Sequence, residues 1–217
     1  MNPFPLILSS PSGGGKTTLT RLLLERRKDV GYSTSCTTRP PRAGEADGRD
    51  YHFLTREQFL ARREKGEFAE SAEVFGNLYG TLRSEVERVF ATRRHVVMDI
   101  DVQGAKQFVA SFPESVMVFI LPPSAEVLLG RLLGRKTESD LLIRKRLTAA
   151  RDELKSVGDY HYVVVNDDLE RAYQQVSAIV DAETVRHRRL PKLDERVHDL
   201  IAELDRQITS STFVNQS

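Results

Sequence analysis

Four short apolar runs recur along the chain: PLILSS at 5–10, HVVMDID at 95–101, SVMVFIL at 115–121 and YHYVVVN at 160–166. Near-continuous hydrophobic runs of this length are the pattern of strands buried on both faces. Between and beside them, apolar residues fall at helical spacing over 16–28, 83–92, 103–111, 124–134 and 139–156. Strands alternating with helices predict an α/β fold, a central parallel sheet flanked by helices on both faces. Residues 38–82 break that rhythm. TTRPPRAGEADGRDYHFLT is rich in turn residues, and FAESAEVFGNLYGT alternates as antiparallel strands do. A small β-rich insertion is expected there, carrying one helix over TREQFLARREKG, with Thr55 and Gln58 spaced as a capping box. LPKLDERVHDLIAELDRQ reads as a closing amphipathic helix, and ITSSTFVNQS as a frayed tail.

Composition narrows the class. The 217 residues suit one large domain, or one domain with an insertion, and 40% of them are hydrophobic. Lys and Arg number 32 against 31 Asp and Glu, a net charge of +1, which argues against duplex nucleic acid as a bulk partner. No apolar run approaches the roughly 18 residues of a membrane span, and the N-terminus lacks the basic start of a signal peptide. No membrane partner is expected. Cys36 is the single cysteine, so no disulfide forms within the chain, and a reducing cytoplasmic setting is expected. No internal repeat is visible. Arginine concentrates in TTRPPR and in GRLLGRKTESDLLIRKRL. Such runs are either solvated faces or anion sites.

The clearest chemistry lies in SSPSGGGKTT, residues 9–18, nearly the pattern G-x-x-x-x-G-K-[ST]. Gly15, Lys16 and Thr17 complete it, but Ser10 stands where the first glycine belongs. A predicted strand precedes the loop and a predicted helix follows it, the context this motif needs. Backbone N–H groups there point at a helix N-terminus and cradle polyphosphate. Lys16 would reach the β- and γ-phosphates, and Thr17 would ligate Mg²⁺. Ser10 is tolerable if its φ is negative. The alternative is a flexible glycine loop with a chance lysine.

A phosphate loop alone does not separate kinases from GTPases or motors, and the N-K-x-D motif of GTPases is absent. Asp99 and Asp101 end the run HVVMDID, at the sheet edge where open α/β folds place ligands. Their spacing of two puts both on one side of a strand. Two carboxylates so close call for a cation or for N–H donors from a ligand. Arg39 and Arg42, in a loop stiffened by Pro40 and Pro41, suit a phosphate monoester. Arg131 and Arg135 are spaced i, i+4 and Arg146 follows, an arrangement of either exposed helix arginines or a mobile lid delivering charge to a phosphoryl group.

Taken together, SPSGGGKTTL, STSCTTRPPRAGEADGRDYHF, GEFAESAEVFGNLYGT, VVMDIDVQGAK, RLLGRKTESDLLIRKRL and VVVNDDL resemble the guanylate kinases, in order and spacing, over nearly the whole chain. The departure is Ser10, where that family usually has glycine. The resemblance implies a P-loop kinase with three regions: a core over 1–37, 89–126 and 156–190, a GMP-binding insertion over 38–88 and a helical lid over 127–155, followed by a C-terminal helix and tail over 191–217. It implies Mg-dependent transfer of the ATP γ-phosphoryl group to GMP. ATP would lie along Ser12, Gly13, Gly14, Gly15, Lys16, Thr17 and Thr18, with Asn166 near the adenine side. Ser35, Arg39, Arg42, Tyr51 and Tyr79 would hold the GMP phosphate, and Glu70, Thr81 and Asp101 would face guanine. Lys16, Arg39, Arg131, Arg135 and Arg146 would neutralise charge during transfer, with Thr17 on Mg²⁺ and Asp99 beside it through water. The five histidines and Cys36 take no chemical part in this reading. Two alternatives stand beside it: a scaffold domain of the same fold that binds partner proteins, and a related kinase for another phosphorylated metabolite. The sequence leaves oligomeric state open, and whether dGMP serves as well as GMP.

Overall fold

The computed structural model describes residues 2–74, 76–133 and 140–210. In chain order these form β1 (Pro5–Ser9), α1 (Lys16–Arg26), β2 (Val30–Tyr32), β3 (Cys36–Thr37), β4 (His52–Phe53), α2 (Arg56–Glu64), β5 (Phe68–Val74), β6 (Asn77–Leu82), α3 (Arg83–Ala91), β7 (His95–Asp99), α4 (Val102–Ser111), β8 (Val116–Leu121), α5 (Ala125–Leu133), α6 (Asp140–Leu154), β9 (Tyr162–Val165), α7 (Leu169–Thr184) and α8 (Leu193–Ser210).

Two sheets result. The larger has the order β2-β7-β1-β8-β9, and every pairing in it is parallel. All five residues of β1 are buried, as its continuous apolar run predicts for a central strand. One face of this sheet packs Leu6, Leu8, Val97 and Val118 against Leu19 and Leu23 of α1 and Val176 and Val180 of α7. The other packs Ile7, Val96 and Met98 against Val86 and Val89 of α3 and Ala105 and Phe108 of α4. The helices on both faces match the expected layering. The smaller sheet, β4-β3-β6-β5, carries the antiparallel pairs β3–β6 and β5–β6. It closes over Cys36, Phe59 of α2, Phe68, Leu78 and Leu82. Within it, Thr55 and Gln58 form the capping box read from the sequence: the Gln58 N–H donates to the Thr55 hydroxyl at 3.2 Å and the Thr55 N–H to the Gln58 side chain at 2.9 Å.

One strand escapes the sequence pattern, and one expectation needs correcting. β2 carries no sequence signal, because it is a three-residue edge strand with Gly31 at its centre. That glycine is required, since a Cβ there would lie 2.5 Å from a Val89 methyl. The run at 95–101 is also shorter as a strand than expected. β7 stops at Asp99, and Asp101 is the N-cap of α4, its carboxylate accepting the Gly104 N–H at 2.7 Å. Capping rather than strand alternation sets the direction of Asp101.

A candidate nucleotide-binding active site

The turn after β1 delivers the phosphate loop to the N-terminus of α1. Gly13 and Gly15 hold the left-handed φ values, 88° and 96°; among the described non-glycine residues only Arg93 and Lys192 have positive φ. Ser10 therefore sits in ordinary backbone, and serine is accommodated without strain. It is 1% exposed, and its hydroxyl donates to the Pro11 carbonyl at 3.0 Å. The loop closes tightly over it: a Cβ added to Gly14 would sit 2.7 Å from Ser10 Cβ.

Two residues grip the loop from behind. The Asn166 amide donates to the Gly14 carbonyl at 2.9 Å, and Arg131 reaches the same carbonyl at 3.3 Å and the Asn166 carbonyl at 3.2 Å. Asn166 is buried, and a Cβ on Gly15 would collide with its amide nitrogen. Asn166 is thus a clamp on the phosphate loop at the end of β9, as well as part of the wall of the cleft.

In front of the loop opens a cleft of about 710 Å³, lined by Ser12, Gly13, Gly15, Lys16, Thr17 and Thr18 together with Arg42, Arg131 and Arg146. Arg135 lies outside the described residues, as does part of the expected lid. A second cavity of about 150 Å³ adjoins, lined by Ser35, Glu70, Asp99 and Asp101. Lys16, Tyr51 and Tyr79 line both. Although Asp101 is a helix cap and Asp99 a strand end, the two do face one cavity.

Glu70, on β5, is 5% exposed and accepts a 2.7 Å hydrogen bond from the Thr81 hydroxyl. Burial pushes its carboxyl up to about 7, with Thr81 opposing and the Asp101 charge adding to the rise. Thr81 is fully buried and touches the cavity only through Glu70, which it orients from behind. Gly104 forms a floor beneath the carboxylate: a Cβ there would approach Glu70 Oε2 to 2.6 Å.

Asp99 has both oxygens engaged. Thr17 donates to one at 2.6 Å and the Tyr32 hydroxyl to the other at 2.9 Å. Burial and the Asp99 charge raise the Tyr32 phenol well above its ordinary range, so it stays a donor. Arg39 does not line either cavity. Its guanidinium donates to Glu45 at 2.9 Å and to the Pro40 carbonyl at 2.6 Å, and lies 5.4 Å over the Tyr51 ring. Glu45 also accepts the Arg42 N–H at 2.7 Å, so one carboxylate shapes the whole arginine loop. The Ser12 N–H in the phosphate loop donates to Glu153 of α6 at 3.3 Å.

Tyr32, Glu45 and Glu153 were not singled out in the sequence. Tyr32 ends a strand without a pattern, Glu45 sits in a turn-rich loop, and Glu153 is one acid among many on a charged helix. Only the i, i+6 pairing of Glu45 with Arg39 across the proline turn offers a usable signal. Cys36 is buried with its thiol pushed up to about 12, which leaves it an apolar filler. His95, also buried, accepts the Phe4 N–H and has its pKa lowered by burial, as a structural residue would.

The guanylate kinase family profile matches residues 2–183. This chain belongs to that family. Its similarity to individual guanylate kinases is high: it is 50% identical to the guanylate kinase of Aromatoleum aromaticum over 84% of this chain and 89% of that one, and 48% identical to that of Chelativorans sp. over 91% of each. The crystal structure of guanylate kinase from Anaplasma phagocytophilum superposes with a TM-score of 0.73 at 36% identity, covering 89% of this chain and 92% of that one. The guanylate kinase match takes in every strand of both sheets and both cavities, and ends within α7; α8 lies beyond it.

Proposed function

We propose that this chain transfers the γ-phosphoryl group of ATP to GMP, giving ADP and GDP, in the cytoplasm. The observation that carries the reading is the position of Lys16, at the seam between a phosphate-loop cleft and a smaller cavity ending in the buried carboxylate of Glu70. Two substrates approached from these two sides would meet at one ammonium group. In this reading the cleft takes the ATP phosphates, residues 38–88 hold GMP, and 127–155 close over both.

Guanine presents N1–H and N2–H₂ donors on one edge, and the two oxygens of Glu70 can accept both. Adenine has a bare N1 there, and its lone pair would face a carboxylate. A buried site built on such hydrogen bonds rejects the wrong base by a factor of about 10⁴ to 10⁵. Asp101 supplies a further acceptor on the same wall. Tyr51, its phenol pushed up to about 12 by burial, stays protonated and can donate to a phosphate oxygen beside Tyr79 and Ser35. Arg42 lines the larger cleft together with Tyr51 and Tyr79. Arg39 would join from the loop that Glu45 holds in shape through the Arg39 guanidinium and the Arg42 N–H.

The acceptor is a phosphate oxygen of GMP, already anionic, so no side chain need take its proton. That oxygen forms the new bond to γ-phosphorus as the bond to the bridging oxygen of ADP breaks. The chain contributes alignment and charge: backbone N–H groups of the loop, Lys16, and Arg131 and Arg146 on the cleft wall. The Thr17 hydroxyl of α1 and the Asp99 carboxylate at the end of β7 lie 2.6 Å apart, and as hard oxygen donors they would hold Mg²⁺ beside polyphosphate. A metal bound there would neutralise charge on the β- and γ-phosphates.

The test is the double substitution Glu70→Gln with Asp101→Asn. It should abolish the preference for GMP over AMP while leaving ATP binding, read by calorimetry, within about threefold. Unchanged discrimination would refute the base-reading assignment.

A further inference from the structure

At the C-terminal end of α6, Glu153 accepts the Ser12 N–H of the phosphate loop at 3.3 Å. Glu153 lines neither the cleft nor the smaller cavity. It lies on a separate groove of about 420 Å³, beside Asp101, Lys106 and Asp152. Other charges around this groove pair away from it: Lys106 with Asp159 at 2.8 Å, Asp152 with Lys155 at 2.7 Å and Glu73 with Arg56 at 3.3 Å. Glu153 turns to the loop. Burial raises its carboxyl above the ordinary value, the Lys16 charge and the Ser12 N–H hold it down, and the Asp101 charge adds to the rise. A hydrogen bond from a backbone N–H to a carboxylate is of the stronger, charge-assisted kind.

The spacing along α6 gives this contact a use. Arg146 precedes Glu153 by about two turns, so both side chains leave the same face of the helix. Arg146 is 8% exposed and reaches the wall of the cleft. At 1.5 Å of rise per residue, its Cα stands about 10 Å along the axis from that of Glu153. Between them Leu147 and Ala150 pack with Leu128 and Leu132 of α5, and α5 carries Arg131 to the Gly14 carbonyl. The two helices therefore hold the loop at two points, Arg131 at Gly14 and Glu153 at Ser12. From this arrangement we infer that Glu153 is a positioning residue for phosphoryl transfer: it pins α6 to the phosphate loop and so sets the reach of Arg146 over the transferred group. The inference rests on the function proposed above. Without the pin, α6 keeps its apolar seat on α5 but can turn on it, and a misplacement of about 1 Å is enough to weaken a charge-stabilising contact. Arg146 would act on charge that develops during transfer, so the loss should fall on kcat rather than on GMP binding.

Steady-state kinetics on the full chain test this, with hydrogen exchange of the Ser12 amide followed by NMR in the ligand-free protein. Glu153→Ala should lower kcat with GMP about tenfold or more and speed Ser12 exchange by a similar factor. KM for GMP should stay within about twofold. Glu153→Gln keeps an acceptor for the Ser12 N–H and should recover most of both losses. Arg146→Ala, alone or combined with Glu153→Ala, should give turnover alike within about twofold, because no guanidinium is then left to misplace. Losses that multiply in the double variant overturn the proposal. So does a glutamine no better than alanine, or a Ser12 amide whose exchange ignores Glu153. A folded wild type inactive with GMP refutes the function proposed above instead, and the exchange rates still decide whether the pin exists.

Discussion

Substituting Glu70 by glutamine should move stability and substrate recognition in opposite directions. The carboxyl group titrates near 7 in the folded protein, from an ordinary value of 4.5, chiefly because it is buried. Below pH 4.5 it is protonated whether the chain is folded or not, and contributes no penalty. Between 4.5 and 7 the unfolded chain releases the proton and the folded chain keeps it, so stability falls as pH rises. Above 7 the loss is complete, about 3 kcal/mol from the difference between the two values. Glutamine has no proton to lose and still accepts from the Thr81 hydroxyl. Its advantage over the wild type should therefore be about 1 kcal/mol at pH 5 and about 3 kcal/mol at pH 8. For a chain of this length that is a melting-temperature advantage growing by roughly 4–8 °C across the range. Recognition should suffer. The glutamine amide offers one acceptor where the carboxylate offers two, and points N–H groups at guanine donors. Losing hydrogen bonds to a charged acceptor costs about 1.5–3 kcal/mol, a fall of roughly 10- to 150-fold in kcat/KM for GMP. In the wild type, GMP should bind more weakly as pH drops below about 7, because the protonated carboxyl no longer accepts twice. Thermal denaturation at both pH values, with steady-state kinetics at pH 8, checks all of this. A stability difference independent of pH would refute the buried-carboxylate argument, and an unchanged kcat/KM for GMP would refute the role given to Glu70.

Gly104→Ala should separate the same two properties from another side: alanine favours the helix by up to about 1 kcal/mol, but its Cβ must displace Glu70 Oε2 from 2.6 Å, so kcat/KM for GMP should drop about tenfold with KM for ATP and melting temperature preserved or better. Glu45→Ala releases both Arg39 and the Arg42 N–H; KM for GMP should rise about tenfold, ATP binding being untouched, and kinetics with each substrate varied in turn will show it. Ser10→Gly, although it restores the more usual loop residue, should lower stability by about 1 kcal/mol through added backbone freedom and the lost bond to Pro11, and leave turnover within about twofold; a large gain in turnover would show that serine restrains the loop.

Much of this architecture is legible in the sequence, for a physical reason. Strands buried on both faces must be continuously apolar, so β1, β7 and β8 announce themselves. β9 shows the same apolar run although it is an edge strand with Val163 and Val165 exposed. The phosphate loop is confined by backbone geometry to a glycine-rich spelling. Position 10 accepts serine because its φ is ordinary, whereas the φ values of 88° and 96° at Gly13 and Gly15 favour glycine. What the sequence hides are side chains whose partners lie far along the chain. Tyr32 reaches Asp99 across 67 positions, and Glu153 reaches Ser12 across 141. Neither distance leaves a periodic trace. Asp101 is a subtler case. Alternation along a strand and capping of a helix both place a carboxylate near the sheet edge, and only the backbone end of β7 separates them. Thr81 likewise reads as a ligand contact from its position, yet it is buried behind the residue it orients.

The central claim is that one lysine serves two pockets, one for ATP and one for GMP. The most direct measurement offers the purified protein ATP and Mg²⁺ with GMP, AMP, CMP or UMP in turn and follows ADP formation. Rapid ADP formation with GMP, abolished by Lys16→Ala and absent with the other three, is the predicted result. Equal rates with several acceptors, or none with GMP from a folded protein, would contradict the account.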